Sequence, residues 1–204
     1  MASGTPQTVQ VFVDFWNFTL NWQERAAGAR IDWRAASKLI YVEAIRIAEL
    51  RGFLYAGTRV YASFDPVRDA SLRRWLHNWL DRQPGVLVFA RERRSTTRIL
   101  RCRECQYEFT ACPNCAAPWR AAAEKGVDAA IVTDMFSLAW ESGYGVAVLA
   151  SSDGDFVPAV KRLQEKGIKV INATWKGYGH QLARECWASF EVDALIPALT
   201  RRLP

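Results

Sequence analysis

Long apolar runs are missing from this chain of 204 residues. A helix that spans a membrane needs ~18 to 20 consecutive apolar residues, and no stretch approaches that length. The first ten residues are polar and contain no apolar segment, which argues against a secretory signal. With 12 Gly and 8 Pro, the chain has too few of either for a linker-rich or fibrous protein. These absences predict a globular protein of the cytoplasm.

Histidine is equally scarce. His77 and His180 are the only two, and neither lies in an H-E-x-x-H sequence. The chain also lacks G-x-S-x-G and a Walker phosphate loop, and Gly177-Tyr-Gly179 is too short a fragment to indicate a dinucleotide site. The sequence therefore sets aside the common chemistries that depend on these motifs.

The composition is that of a folded domain, with 50% apolar, 24% charged and 12% aromatic residues. Lys and Arg number 27 against 21 Asp and Glu, which gives a formal net charge of +6. A positive balance favours an acidic partner, with nucleic acid first among the candidates. A homodimer is compatible with the sequence, which neither requires nor excludes one.

Short apolar runs alternate with helical patterns along most of the chain. The runs predict strands at residues 8–14, 58–64, 86–90, 146–152 and 168–174. The helical patterns cover residues 37–51, 66–82, 127–141, 156–165, 181–190 and, more briefly, 192–199. Because the strands are apolar throughout, we predict a mainly parallel sheet that is covered on both faces. The fold class is thus α/β, a three-layer α/β/α sandwich.

Residues 91–118 interrupt this alternation and contain four of the five cysteines. Two C-x2-C pairs, Cys102 with Cys105 and Cys112 with Cys115, are separated by six residues. This spacing predicts a zinc ribbon in which four thiolates close a structural Zn²⁺ site. Disulfides and a redox-active C-x2-C pair are the alternatives. A reducing compartment disfavours disulfides, and a redox-active pair would not need a second C-x2-C. We therefore predict one domain over residues 1–204 with a zinc-ribbon insertion at 91–118.

Arginines are concentrated in the same segment. They are Arg91, Arg93, Arg94, Arg98, Arg101 and Arg103. Such a run is usually a solvated surface, but this one leads directly into the predicted ribbon. We predict that these side chains bind nucleic-acid phosphates.

Aspartates follow two of the predicted strands. Asp14 ends the first strand, and Asp153 and Asp155 come directly after the strand at 146–152. In an open parallel sheet, ligands bind beyond the carboxyl ends of the strands where the strand order reverses, so three carboxylates converge if the two strands are neighbours there. Asp128, which opens the helix after the insertion, adds a fourth. Crowded carboxylates with few histidines favour Mg²⁺ or Mn²⁺.

Each aspartate also has an ordinary structural alternative. Asp14 suits a turn at the end of a strand, Asp155 a helix cap, and Asp128 the positive end of a helix dipole. Asp134 lies about 120° around the helix from Asp128, and is either a supporting residue or a buried carboxylate. Asp65 ends another strand and is a weaker supporting candidate.

Three segments resemble the NYN family of PIN-like nucleases. They are Val11-Phe-Val-Asp14-Phe-Trp-Asn17, Lys125-Gly-Val-Asp128 with Asp134, and Ser151-Ser-Asp153-Gly-Asp155-Phe-Val-Pro158. The resemblance covers residues 8–90 and 120–195 in the family's order, and it implies a PIN-like fold with metal-dependent cleavage of RNA. The cysteine insertion departs from the family pattern and leaves the choice of substrate open.

The resemblance also implies roles for individual residues. Metal binding falls to Asp14, Asp128, Asp153 and Asp155, and catalysis to these four together with Asn17. Asn17 is expected to position a ligand or phosphate, while Asp134 and Ser152 support the cluster.

Two other functions compete with a ribonuclease. One is a noncatalytic RNA-binding or regulatory module, and the other is an adaptor whose zinc ribbon docks a protein partner. The complete acidic set favours the ribonuclease, because a pure binder gains little from carboxylates near phosphates. Trp16, Trp22 and Trp33 follow the first strand and are either core residues or stacking surfaces for unpaired bases.

Overall fold

A parallel sheet forms the centre of the computed structural model, which describes residues 7–97, 99–118, 120–123 and 126–201. The strands, in chain order, are β1 (Thr8–Asp14), β2 (Leu54–Phe64), β3 (Val86–Glu92), β4 (Arg94–Thr97), β5 (Leu100–Arg101), β6 (Glu108–Phe109), β7 (Arg120–Ala123), β8 (Val146–Ala150), β9 (Lys169–Thr174) and β10 (Ala188–Glu191). The helices are α1 (Phe15–Arg25), α2 (Trp33–Ile47), α3 (Ala70–Asn78), α4 (Val127–Trp140), α5 (Val157–Glu165), α6 (His180–Glu185) and α7 (Ile196–Leu199). Short 3-10 turns occupy Leu80–Arg82, Gly154–Phe156 and Val192–Leu195.

The six central strands lie in the order β10-β9-β8-β1-β2-β3, and all their pairings are parallel. The chain builds outward from β1 to β3 and then crosses to β8 on the other side of β1. Strand order therefore reverses between β1 and β8, where Val13 pairs with Ala150. This is the point at which open α/β sheets bind their ligands.

Alternating side chains of the strands divide the core into two layers. Val11 of β1 and Val148 of β8 face one layer, with the helices α1, α2, α3 and α7, whereas Phe12 and Leu149 face the other, with α4, α5 and α6. Helix α4 presents a residue every fourth position to this second layer, namely Val127, Ile131, Met135 and Ala139. The predicted three-layer α/β/α sandwich is confirmed.

Two elements differ from the sequence-based expectation. The predicted helix at 181–190 ends at Glu185, and β10 follows it along the open edge of β9. Pairing at this edge outweighs a weak local preference for helix. Helix α1 begins directly after β1 without any Gly or Pro between them, so no local signal separates the two elements.

The segment between β3 and α4 contains two small antiparallel ladders. Strand β4 pairs with β7, and β5 pairs with β6. The first ladder closes the base of the segment, and the second lies beside the cysteines. Within the described ranges, no helix is long and apolar enough to cross a membrane.

Candidate functional site

The hydroxyl of Ser151 links the carboxyl ends of β1 and β8. Ser151 Oγ donates to Asp14 Oδ2 at 3.2 Å and accepts a hydrogen bond from the Asp153 backbone N–H, also at 3.2 Å. Ser151 is 1% exposed and Asp14 is 8% exposed, so the link is almost fully buried. The two predicted aspartates from separate strands are thereby held at one edge of the sheet, at its switch point.

Asp14 and Asn17 connect three elements around this link. Asp14 Oδ1 accepts from the Asn17 backbone N–H at 3.2 Å, which caps α1. The Asn17 side-chain oxygen in turn accepts from the Ser152 backbone N–H at 2.9 Å. The D-x-x-N sequence therefore fastens β1 and α1 to the loop that follows β8.

That loop carries the other two aspartates of the predicted cluster. Asp153 Oδ1 accepts from the Asp155 backbone N–H at 2.9 Å, and the buried Phe156 anchors the short turn that follows. Asp155 is exposed. Across the described part of the chain, neither Asp153 nor Asp155 forms an ion pair with a basic side chain.

Helix α4 brings two further aspartates, in different surroundings. Asp128 is exposed in its first turn, directly after Gly126 and Val127. Asp134 lies further along, where it accepts from Arg59 Nη1 at 2.9 Å and from the Tyr61 hydroxyl at 2.7 Å. These contacts tie α4 to β2, and burial together with the Asp134 carboxylate raises the pKa of Tyr61 above its usual value.

Asp65 and Ser152, the remaining supporting candidates, have local partners. Asp65 Oδ1 accepts from the backbone N–H groups of Arg68 and Val67 at 2.9 Å each, and these bonds lower the pKa of its carboxyl. Asp65 therefore shapes the turn after β2. Ser152 Oγ lies 3.1 Å from Thr174 Oγ1, which links the β8 loop to the end of β9.

The described aspartates are not arranged as a complete metal-binding site. Among the residues that the structure describes, no group of three or more His, Cys, Asp or Glu side chains is arranged to hold a metal ion. The donors themselves suit a hard divalent cation, because all of them are carboxylate oxygens. Asp14 is nearly buried, and Asp128 and Asp155 are exposed to solvent.

Gly179 is a residue of this site that the sequence analysis missed. Its φ is +63°, and a Cβ atom there would lie 2.6 Å from Thr174 Oγ1 and 2.9 Å from Ser152 Cα. Only glycine allows the loop after β9 to pack this closely against the loop after β8. The available signal was Gly177-Tyr-Gly179, which was considered only as a nucleotide motif.

Ser151 was missed as well, although pairing of Val13 with Ala150 puts the next residues, Asp14 and Ser151, side by side.

The six predicted phosphate-binding arginines lie in unlike environments. Arg93 Nη2 is 2.6 Å from Asp69 Oδ2, and the Arg93 guanidinium lies 4.9 Å from the centre of the Trp16 ring. Arg93 is thus a packed, ion-paired residue, while Arg91, Arg101 and Arg103 are exposed. Only the backbone of Arg94 is described, and Arg98 lies outside the described residues.

The four cysteines of the insertion occupy two turns of the same form. In the first turn the Cys102 N–H donates to Tyr107 O at 2.9 Å and the Gln106 N–H donates to Cys102 O at 3.1 Å. The second turn repeats both bonds, from the Cys112 N–H to Ala117 O and from the Ala116 N–H to Cys112 O, each at 2.8 Å.

Positive φ angles recur at equivalent positions of the two turns, 60° at Gln106 and 56° at Ala116. Backbone N–H groups of Cys105 and Glu104 lower the pKa of Cys102, and those of Cys115 and Asn114 do the same for Cys112. All five cysteines are free. Cys186 is half-buried against the second core layer, and burial raises its pKa to about 12.

Comparison with known proteins identifies the family. The NYN domain matches residues 8–192, which is nearly the whole chain. The chain belongs to the NYN family. Its nuclease-like fold is thereby established, and the D-x-x-N and S-x-D-G-D-F sequences occupy the switch point of this NYN domain.

A solved structure supports the fold independently. A protein of unknown function from Vibrio parahaemolyticus, VPA0982, is similar with a TM-score of 0.55 and 17% sequence identity, over 94% of this chain and 96% of that one. Identity at this level shows shared architecture alone. A comparison with curated proteins gave no match.

The close approach of Gly179 generates a test with a built-in control. Gly179→Ala and Gly177→Ala both place an alanine at positive φ, which costs about 1 to 2 kcal/mol. A Cβ at Gly177 meets nothing within 4 Å, so only Gly179→Ala adds a clash, worth a further ~1 to 3 kcal/mol. Urea unfolding of both variants measures the difference, and equal losses would show that the two loops do not need this contact.

Proposed function

We propose that this NYN domain is a metal-dependent ribonuclease that hydrolyses RNA phosphodiester bonds at Asp14, Asp128, Asp153 and Asp155. The observation that carries the proposal is the buried hydroxyl of Ser151, which contacts Asp14 and the backbone of Asp153 at the switch point. A fold needs no such link between two acidic strand ends, because bringing carboxylates together costs electrostatic energy. A cation site benefits from such a link, because the site needs carboxylates close together.

Mg²⁺ or Mn²⁺ is the cofactor that this donor set suits, since hard cations take carboxylate oxygens. When bound, such an ion would supply Lewis-acid stabilisation of the charge on phosphate and lower the pKa of a water molecule. Asp14, Asp128, Asp153 and Asp155 would hold it. Asp153 and Asp155 form no ion pair with a basic side chain among the described residues, which leaves their charges to be balanced by a cation.

Other residues of the chain keep these carboxylates in place. Asn17 holds the β8 loop through the Ser152 N–H, and Ser151 holds Asp14. Asp134 acts at a distance by fixing α4, and hence Asp128, against Arg59 of β2. We assign these three to positioning, and contact with the RNA to the aspartates.

The RNA-binding module is the second candidate, and it predicts binding without cleavage. Asp14, Asp128, Asp153 and Asp155 at the carboxyl ends of the strands form what we call the acidic edge. Carboxylates near a phosphate repel it, so this edge works against a protein that only binds RNA. An adaptor function of the cysteine turns would not account for the gathering of aspartates at the switch point. The acidic edge therefore favours the nuclease.

Asp153→Asn provides the test of catalysis. This change keeps the size of the side chain and its capping oxygen but removes a charge that would hold the cation. We expect cleavage of RNA to fall by roughly two orders of magnitude or more, while folding and RNA binding persist. Cleavage should also stop in EDTA and return with Mg²⁺ or Mn²⁺.

Asp81→Asn is the matched control. Asp81 lies before β3, at the amino ends of the strands and away from the acidic edge, and it also accepts a backbone hydrogen bond, from Val88. It should cleave like the wild type. Wild-type protein that binds RNA but cleaves none with either metal would favour the binding module. Undiminished cleavage by Asp153→Asn would move the active site elsewhere.

We also propose that the cysteine turns form a zinc ribbon that inserts, at residues 91–118, into a single domain. Two turns with matching hydrogen bonds and similar positive φ each hold two thiols within hydrogen-bonding reach, although the described residues do not assemble three or more of these ligands into one group. Tetrahedral zinc takes four such sulfur ligands. The free thiols suit a reducing compartment such as the cytoplasm.

Zinc content tests this ribbon. Purified protein should contain about one zinc per chain, and Cys105→Ser should lose it while the α/β core keeps its unfolding transition. Cys186→Ser removes a cysteine outside the ribbon and should retain the metal. Protein that is expressed with ample zinc but contains none on elemental analysis would contradict the proposal.

The exposed arginines are proposed to bind the RNA backbone. Arg91 extends from the carboxyl end of β3, on the same edge of the sheet as Asp14, and Arg101 and Arg103 continue into the first cysteine turn. Their charge would offset the repulsion between phosphates and the acidic edge. Arg93 contributes indirectly, because its packing on Trp16 holds the segment that carries the exposed arginines.

Salt dependence measures this contribution. In Arg101→Gln combined with Arg103→Gln, each lost phosphate contact should reduce the slope of log K against log salt by about 0.7 for single strands. Arg51→Gln combined with Arg82→Gln makes the same change in charge at the opposite edge of the sheet and should leave the slope unchanged. Equal slopes for both pairs would remove the cysteine segment from the RNA interface.

A further inference from the structure

Two adjoining cavities lie beside α2 and α3, outside the acidic edge. Their volumes are about 480 and 460 Å³, and both are lined by Trp33, Trp75 and Arg201. Arg34 and Trp79 complete the second cavity. These five residues define what we call the tryptophan groove.

The three indole rings of the groove form a row. Trp75 stacks on Trp79 with ring centres 5.5 Å apart, and Trp33 meets Trp75 at 5.9 Å. Each of the three is half-buried, unlike Trp22, which also lines the first cavity but is 2% exposed and belongs to the core. Partly open aromatic rings in a row are the usual stacking surface for unpaired bases.

Arginines supply the charge of the groove. The Arg34 guanidinium lies 5.6 Å from the centre of the Trp79 ring, and Arg201 is exposed at the same cavity. Neither forms an ion pair within the described ranges. Asp32 also lines the second cavity, where its Oδ1 accepts from the Arg34 and Ala35 backbone N–H groups and caps α2. Cationic and aromatic groups together match the phosphates and bases of a nucleic-acid strand.

Phe15 connects this groove to the acidic edge. The Trp33 ring stacks on Phe15 with centres 5.5 Å apart, and Phe15 directly follows Asp14 in the chain. Trp75 reaches Phe15 as well, at 6.2 Å. The inner wall of the groove is therefore in contact with the buried residue next to Asp14.

We propose that the tryptophan groove binds unpaired bases of an RNA strand whose phosphodiester lies at the acidic edge, so that the substrate is single-stranded. The proposal rests on the ribonuclease function proposed above. A duplex keeps its base faces stacked inside, so it has none to offer to the indole rings. Of the three tryptophans considered from the sequence, only Trp33 belongs to this surface.

Binding measured in EDTA tests the groove separately from catalysis. The probe is a labelled oligouridine, compared with an RNA duplex of the same length. Trp79→Leu and Arg34→Gln together should weaken binding of the single strand roughly 5- to 50-fold, and Trp79→Phe, which keeps an aromatic face, should lose much less. The wild type should prefer the single strand to the duplex.

A matched control lies on the opposite face, where Trp140 and Arg162 line another open pocket. Trp140→Leu combined with Arg162→Gln should bind the oligouridine like the wild type. Circular dichroism and urea unfolding confirm that each variant is folded.

Each outcome separates the two proposals. Groove-dependent binding without any cleavage upholds the groove and overturns the ribonuclease. Cleavage with unchanged affinity in the groove variants, or a wild type that prefers the duplex, overturns the groove alone. If Trp79→Leu changes the sedimentation of the protein by itself and leaves RNA affinity unchanged, the groove is a protein interface and our proposal is wrong.

Discussion

The hydrogen bonds of Ser151 are the constraint on which the acidic edge depends. This hydroxyl has no freedom to serve other partners, since it is buried while it donates to one aspartate and accepts from the backbone of another. Asn172 supports it from below, where its side-chain amide donates to Leu149 O and Ser151 O at 3.0 and 2.8 Å. The edge is thus assembled by a few hydrogen bonds among β1, β8 and β9, and the sheet core beneath it is apolar.

Arginine packed on tryptophan is a second recurring theme. Arg93 lies over Trp16, Arg34 over Trp79, and Arg25 over Trp175. Such pairs keep the guanidinium charge at the surface while its flat face covers an indole ring. Part of the positive charge of the chain therefore serves packing as well as attraction of anions, and Arg93 shows that a dense arginine run divides between the two uses.

The sequence predicted the architecture well because the central strands are apolar on both faces, which is a strong local signal. It predicted neither α1 nor β10. No Gly or Pro separates α1 from β1, so the boundary leaves no local signal, and β10 depends on its pairing with β9. The same division applies to the site. The aspartates were found from the motif and the strand ends, whereas Ser151 and Gly179 become visible only when the register of β1 on β8 and the packing of two loops are known. Asp134 was found, but its partners, Arg59 and Tyr61, are 75 and 73 residues away in sequence.

The stem of the cysteine segment has a consequence for how such proteins vary. Strands β4 and β7 pair antiparallel from Arg94 with Ala123 to Thr97 with Arg120, so the two ends of the segment are joined at its base. A loop whose ends are already paired adds little further entropic cost when its tip is lengthened, shortened or exchanged. The tip is therefore a replaceable appendage. A change at the tip would therefore leave the sheet unaltered while it changes the surface beside the carboxyl end of β3.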